Sequence, residues 1–154
     1  DFNFRSSGTD GNDVLLGSDE DDYIDGKAGD DLIDSGNGFD TLVGGEGSDT
    51  FVIKNNEAYD PNIMRGEEGY VDSYKTIEDF QIDYDKLDFS GLDTINSQAD
   101  FELNAFEYNI WEEGEDGNWY ETDETAISIW SEGSGVQISG ASSEDFTENN
   151  FIFE

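Results

Sequence analysis

Five aspartates stand nine residues apart in the chain, at Asp13, Asp22, Asp31, Asp40 and Asp49. Each closes a six-residue loop that starts at Gly8, Gly17, Gly26, Ser35 or Gly44. Each is followed two residues later by an apolar side chain: Leu15, Ile24, Ile33, Leu42 or Phe51. Glycine-rich loops turn sharply through φ > 0 and can aim backbone carbonyls at a common centre. Carbonyls combined with carboxylates make a hard, oxygen-only cage. Such a cage suits calcium, which takes roughly six to eight oxygens at about 2.3 to 2.6 Å in forgiving geometry, and suits magnesium poorly. Aspartate and glycine serving only as turn residues in an acidic β-protein would not hold register through five successive units.

The elements that must position these loops are the last three residues of each nonapeptide, read as short strands. One inward side chain per strand builds only a thin core, so a single unit cannot bury it and stacking is obligatory. The five units, GTDGNDVLL, GSDEDDYID, GKAGDDLID, SGNGFDTLV and GGEGSDTFV, resemble G-G-x-G-x-D-x-U-x, the nonapeptide of the RTX calcium-binding proteins. The resemblance implies a right-handed parallel β-roll in which loops alternate between two edges, so that loops two repeats apart share an ion. It also implies the ligands. One loop gives carbonyls from its second and fourth places, its partner from the first and third, and both add the sixth-place aspartate. Carried over, one site takes Thr9, Gly11 and Asp13 with Gly26, Ala28 and Asp31. A second takes Ser18, Glu20 and Asp22 with Ser35, Asn37 and Asp40, and a third Lys27, Gly29 and Asp31 with Gly44, Glu46 and Asp49. About three calcium ions are expected in the roll. Thr9, Ser18 and Lys27 replace glycine at the second place, Ser35 at the first and Glu20 at the fourth. A side chain at φ > 0 carries strain, so the second site is expected to be the poorest.

Composition bounds what else the chain can do. Six basic against forty acidic residues give a net charge of −34, which repels nucleic acid and anionic membranes. A hydrophobic fraction of 34% would suggest disorder, but eleven Phe, seven Tyr and three Trp supply large buried areas. The expectation is a fold that needs counter-ions. Cysteine and histidine are absent, which removes disulfides, thiol nucleophiles, zinc sites of the usual kind and every imidazole triad. No apolar run reaches transmembrane length, and the start, Asp1-Phe2-Asn3-Phe4, is unlike a signal peptide. With no initiator methionine, the chain reads as a module of a larger protein.

Residues 1–7 read as a lead-in, 8–53 as the roll and 54–69 as a connecting loop holding the only proline, at Asp60-Pro61. Self-cleavage at that bond, known in some calcium-triggered RTX modules, is weighed and set aside for want of further resemblance. The segment Thr76 to Ser90 resembles the "I-x-D-F…D-K-I-D-L-S" stretch that follows the repeats in serralysin-type proteases and mannuronan epimerases. Its alternation of Ile77, Phe80, Leu87 and Phe89 with acids predicts two strands capping the roll. Asp79, Asp85 and Asp88 are weaker ligand candidates there, against a reading as a solvated turn, and Lys75 stands where relatives often carry aspartate. Phe106, Tyr108 and Ile110 alternate ahead of a turn at Glu115-Asp116-Gly117-Asn118, after which Trp119 opens the next strand. Ile127 and Ile129 answer Val136 and Ile138 across Glu132–Gly135. Asp145-Phe146 and Asn150-Phe151-Ile152-Phe153-Glu154 resemble the family's terminal strand, and no helix shows convincing periodicity.

The fold expected is all-β: a parallel β-roll of nonapeptide repeats followed by a capping, β-sandwich-like region over 70–154 packed on the roll. Trp111, Trp119, Tyr120 and Trp130 could stack on sugar rings, though aromatics in a small β-structure are more often core. A glycosidase would need only two suitably spaced carboxylates, and nothing singles out a pair. The reading is a non-catalytic calcium-binding module that folds outside the cell. It would be the C-terminal part of a protein exported by a type I secretion apparatus. The alternatives are a polysaccharide-binding module like the R-modules of mannuronan C5-epimerases or a ligand-binding segment of a large adhesin; besides calcium and the secretion apparatus, the candidate partners are a polysaccharide and a preceding domain of the same protein.

Overall fold

The structure, a computed structural model, describes residues 4–54, 73–92, 95, 97–113, 119–131 and 134–153. A strand β1 (Phe4–Ser7) precedes the repeats. The last residues of each nonapeptide then form β2 (Val14–Ser18), β3 (Asp22–Asp25), β4 (Leu32–Gly36), β5 (Phe39–Val43) and β6 (Thr50–Lys54). Consecutive strands lie in opposite sheets. One sheet runs β1-β3-β5 and the other β6-β4-β2, with every neighbour parallel. Strands two repeats apart are therefore in register: Leu15 sits beside Ile33 and Ile33 beside Phe51, while Ile24 sits beside Leu42. The eighth-place side chains meet between the sheets, where Ile24, Ile33, Leu42 and Phe51 lose all exposure to water and Leu15 in the first layer keeps 8%.

The stack does not stop with the repeats. Two strands, β7 (Ser73–Ile77) and β8 (Lys86–Gly91), were expected as a cap; they add a further layer instead. Ile77 pairs with Leu42 and Leu87 with Phe51, so both continue the eighth-place columns, and both are fully buried. A helix α1 (Gln98–Asn104) also forms, in a stretch where the sequence shows no convincing helical period. At seven residues it is too short to show a period. It is started by Ser97, whose side chain accepts from the Asp100 backbone N–H, and is anchored by Phe101, whose ring lies 4.5 Å from that of Phe151 and 5.3 Å from that of Phe146.

Three antiparallel strands follow: β9 (Ala105–Glu113), β10 (Trp119–Ser131) and β11 (Ser134–Ser139). The expected facing of Ile127 with Ile138 and of Ile129 with Val136 is the register found. Ser134 and Gly135, read from sequence as turn, are already strand and pair with Ser131 and Trp130. β11 runs parallel to β7, so these strands prolong the odd-numbered sheet of the roll. The last strand, β12 (Phe151–Ile152), covers β8 in the other sheet. The turn at Glu115–Asn118, the Asp60-Pro61 bond and the rest of 55–72 lie outside the described residues.

Candidate metal centre

The loops ahead of the strands stack in two columns. Loops 8–13, 26–31 and 44–49 form one, and loops 17–22 and 35–40 the other. The expected groupings are thereby brought together: Thr9, Gly11 and Asp13 over Gly26, Ala28 and Asp31; Ser18, Glu20 and Asp22 over Ser35, Asn37 and Asp40; Lys27, Gly29 and Asp31 over Gly44, Glu46 and Asp49. Ala28 and Glu46 form a parallel bridge.

Each sixth-place carboxylate has a repeated task. Its Oδ1 accepts from the backbone N–H of the aspartate one layer earlier: Asp13 to Asp31 at 2.8 Å, Asp22 to Asp40 at 3.1 Å and Asp31 to Asp49 at 2.9 Å. Asp49 donates in the same way to Asp85 at 2.9 Å. Asp85 is thus the sixth-place residue of a loop whose sequence no longer looks like a repeat. The candidate turn at Asp79 also docks on the roll, since its carboxylate accepts from the backbone of Gly44 and Gly45, both at 2.8 Å. Asp88 instead turns its carboxylate to its own strand, accepting from Ser90 N at 2.9 Å.

The second carboxylate oxygen separates the loops. On Asp13 it takes the Thr9 backbone N–H at 2.6 Å and the Thr9 hydroxyl at 2.9 Å, and on Asp22 it takes the Ser18 N–H at 2.6 Å. On Asp31 and Asp49 it has no partner, although both side chains are buried. A buried carboxylate oxygen without a donor is costly. Burial accordingly pushes the Asp31 and Asp49 carboxyls above the usual carboxylate range. It carries Asp40 and Asp85 up to about 6. Asp13 goes the other way, held low by the Thr9 N–H and then its hydroxyl.

Backbone conformation draws the same line. Second and fourth places adopt positive φ in the last three repeats, at Lys27 (78°) and Gly29 (117°), Gly36 (83°) and Gly38 (110°), and Gly45 (97°) and Gly47 (141°). The strain expected at Thr9 and Ser18 does not arise, because neither has positive φ. Their hydroxyls accept from Gly11 N and Glu20 N, both at 3.2 Å, and turn the chain locally. Lys27 alone among the described non-glycine residues takes the left-handed conformation.

Loops 26–31 and 44–49 therefore fit a calcium ion best. Carbonyls crowd glycines whose missing Cβ leaves them room: one on Gly45 would meet the Lys27 carbonyl oxygen at 2.0 Å, one on Gly47 that of Gly29 at 2.1 Å, and one on Gly26 that of Gly44 at 2.4 Å. Lys27 O and Glu46 O each accept one backbone N–H, at 2.7 and 2.8 Å, and a carbonyl keeps a second lone pair. Among the described residues no three carboxylates gather. A cation here would take its carboxylates in pairs and the remaining oxygens from backbone.

Sequence reasoning passed over the fifth places. Asn12, Asp21 and Asp30 accept from the fifth-place N–H of the loop one layer on, at Asp30, Phe39 and Ser48, each at 3.0 Å. Their nine-residue spacing and short acceptor side chains were the available signal. Trp111, Trp119, Tyr120 and Trp130 lie on β9 and β10, but their side chains fall outside the described set, so their role as core or sugar platform is not placed.

Residues 7–42 and 34–52 match the RTX calcium-binding nonapeptide repeat (4 copies). No curated protein gives a sequence match to the chain. Among solved structures, the AlgE6R3 subunit from the Azotobacter vinelandii mannuronan C5-epimerase is similar, with 25% identity and a TM-score of 0.59 over 97% of this chain and 78% of that one. The AlgE6R2 subunit of the same epimerase has 25% identity and a TM-score of 0.48 over 96% and 91% of the two chains. The extracellular lipase LipA from Serratia marcescens has 18% identity and a TM-score of 0.49 over 97% of this chain and 21% of the lipase.

Proposed function

From the premise that residues 7–52 are RTX calcium-binding nonapeptide repeats, we propose that this chain is a non-catalytic module of a secreted protein that folds when it meets calcium outside the cell. The carrying observation is the pair of buried, unpartnered oxygens on Asp31 and Asp49. Asp31 and Asp49 with the carbonyls of Lys27, Gly29, Gly44 and Glu46 hold one ion. Thr9, Gly11 and Asp13 with Gly26, Ala28 and Asp31 hold another, and Ser18, Glu20 and Asp22 with Ser35, Asn37 and Asp40 a third. Calcium supplies the positive charge that lets stacked carboxylates approach.

Without it, aspartates about 5 Å apart repel by about 0.8 kcal/mol per pair even at the dielectric of water. Each ion that binds only the folded form adds about 2.7 kcal/mol at a hundredfold excess over Kd, so about three of them approach the stability of a whole domain. With affinities near 10⁻⁴ to 10⁻³ M, roughly those of extracellular modules, the early repeats stay unfolded at cytosolic calcium, which suits passage through a type I secretion apparatus. The absence of cysteine and histidine supports the non-catalytic reading. So does the commitment of the sixth-place carboxylates to neighbouring backbone N–H groups.

Circular dichroism through a calcium titration tests the proposal. The expected result is a cooperative gain of β signal that chelator reverses; a β spectrum and melt unchanged in excess chelator would overturn it. A second reading, a polysaccharide-binding module, is favoured by the likeness to the epimerase subunit.

A further inference from the structure

The two columns of loops end differently, and one end holds a buried cation. Tyr23 pairs with Thr41, which sets Asp22 beside Asp40, and Asp40 in turn pairs with Lys75. The same position in three successive strands of one sheet is thus Asp, Asp, Lys. Lys75 is 2% exposed. Its ammonium has three N–H donors and finds three oxygens: Gly36 O at 2.7 Å, Ser73 Oγ at 2.6 Å and Asp40 Oδ2 at 3.3 Å. Gly38 O, the fourth-place carbonyl of the same loop, accepts from Tyr74 N at 2.8 Å and from the Ser73 hydroxyl at 3.4 Å.

A loop in this roll offers the next layer its second-place carbonyl, its fourth-place carbonyl and its aspartate. In loop 35–40 all three are met by donors from β7. The other column contrasts with this, since Asp31 and Asp49 each keep a buried oxygen with no donor. A buried ammonium is stable only when paired and hydrogen-bonded on every side, so Lys75 has little freedom to sit elsewhere.

We propose that Lys75 is a built-in cation that closes this column, its ammonium taking the place of the next metal ion. The inference rests on the reading of the loops as calcium sites and deepens it, because it says where calcium is not needed. β5 is tied to β7 by protein alone, and β7 continues into β11 through the Lys75–Val136 pair. The sheet from β5 to β11 therefore holds together without metal, while β1 to β4 depend on ions.

Two measurements test this. In the unaltered chain under chelator, hydrogen exchange of residues 39–43 and 73–77 is expected to be at least about tenfold slower than that of residues 14–25. Equal exchange across these segments overturns the proposal. Lys75→Asp is expected to bind one calcium more per chain than the unaltered protein by native mass spectrometry, and to lose the protection of 39–43 in chelator. An unchanged count, or a variant that calcium cannot fold, overturns it as well. If the unaltered chain binds no calcium at all, the functional reading fails, and the exchange comparison in chelator still decides the place of Lys75.

Discussion

Asp31 belongs to two of the proposed sites, and Asp13 to one. They also differ in what they have without metal: Asp13 Oδ2 is satisfied by Thr9, whereas Asp31 Oδ2 is buried and has no donor. Asp31→Ala is therefore expected to cost about twice the linkage energy of Asp13→Ala, about 5 against about 3 kcal/mol at a hundredfold excess of calcium. The check is the calcium midpoint of the dichroism titration, which should move further for Asp31→Ala; equal shifts would remove the shared-ion arrangement. Acid acts on both columns. Asp40 and Asp85 are pushed up to about 6 by burial, from 3.8. A carboxyl whose folded value is raised contributes stability that is fully present below the unfolded value and lost as pH rises through the folded one. The metal-free chain is thus expected to gain β signal between pH 7 and pH 4.5 in calcium-free buffer. In calcium the dependence reverses, because protons and calcium compete for the same oxygens. A metal-free spectrum that does not change over this range contradicts the burial of these groups.

A repeat loop works as an element only if its second and fourth places can turn left-handed. Loops 26–31, 35–40 and 44–49 do so, and Lys27 does it with a side chain attached. An L-residue held there is strained by about 1 kcal/mol or more. Lys27→Gly is expected to raise the calcium-loaded melting temperature, and Gly45→Ala to lower it, since the added Cβ would lie 2.0 Å from the Lys27 carbonyl oxygen. Thermal melts in saturating calcium measure both, and a destabilised Lys27→Gly would show that its side chain compensates for its backbone. The first two loops reach their turns by another route, with Thr9 and Ser18 hydroxyls accepting from Gly11 and Glu20. That substitution was visible as a departure from glycine, but its remedy was not, because a hydroxyl's partner depends on where the chain folds back.

For the whole molecule, the charge of −34 sets the terms on which another polymer can approach. A polyanion such as alginate is expected to bind only through calcium bridging like charges, so affinity electrophoresis should show retardation that chelator abolishes. Tight binding that survives chelator would mean a neutral or basic surface outweighs the field. The nonapeptide spacing, read alone, was enough to determine the stacked strands, the inward column of Leu15, Ile24, Ile33, Leu42 and Phe51, and the calcium-binding character of the loops. These follow from a period that is local and repeated, so every unit restates them. Ile127 against Ile138 was legible for a similar reason, because two alternating runs close together in sequence have few ways to pair. The structure alone decided what came after. Asp85 has no nonapeptide around it and takes its place through the pairing of β6 with β8, Lys75 reaches Asp40 across thirty-five residues, and α1 is held by rings from the C-terminal segment. Each of these depends on contacts between segments far apart in the chain, which no local spacing records, and the buried donors that end one column exist only once those segments have met.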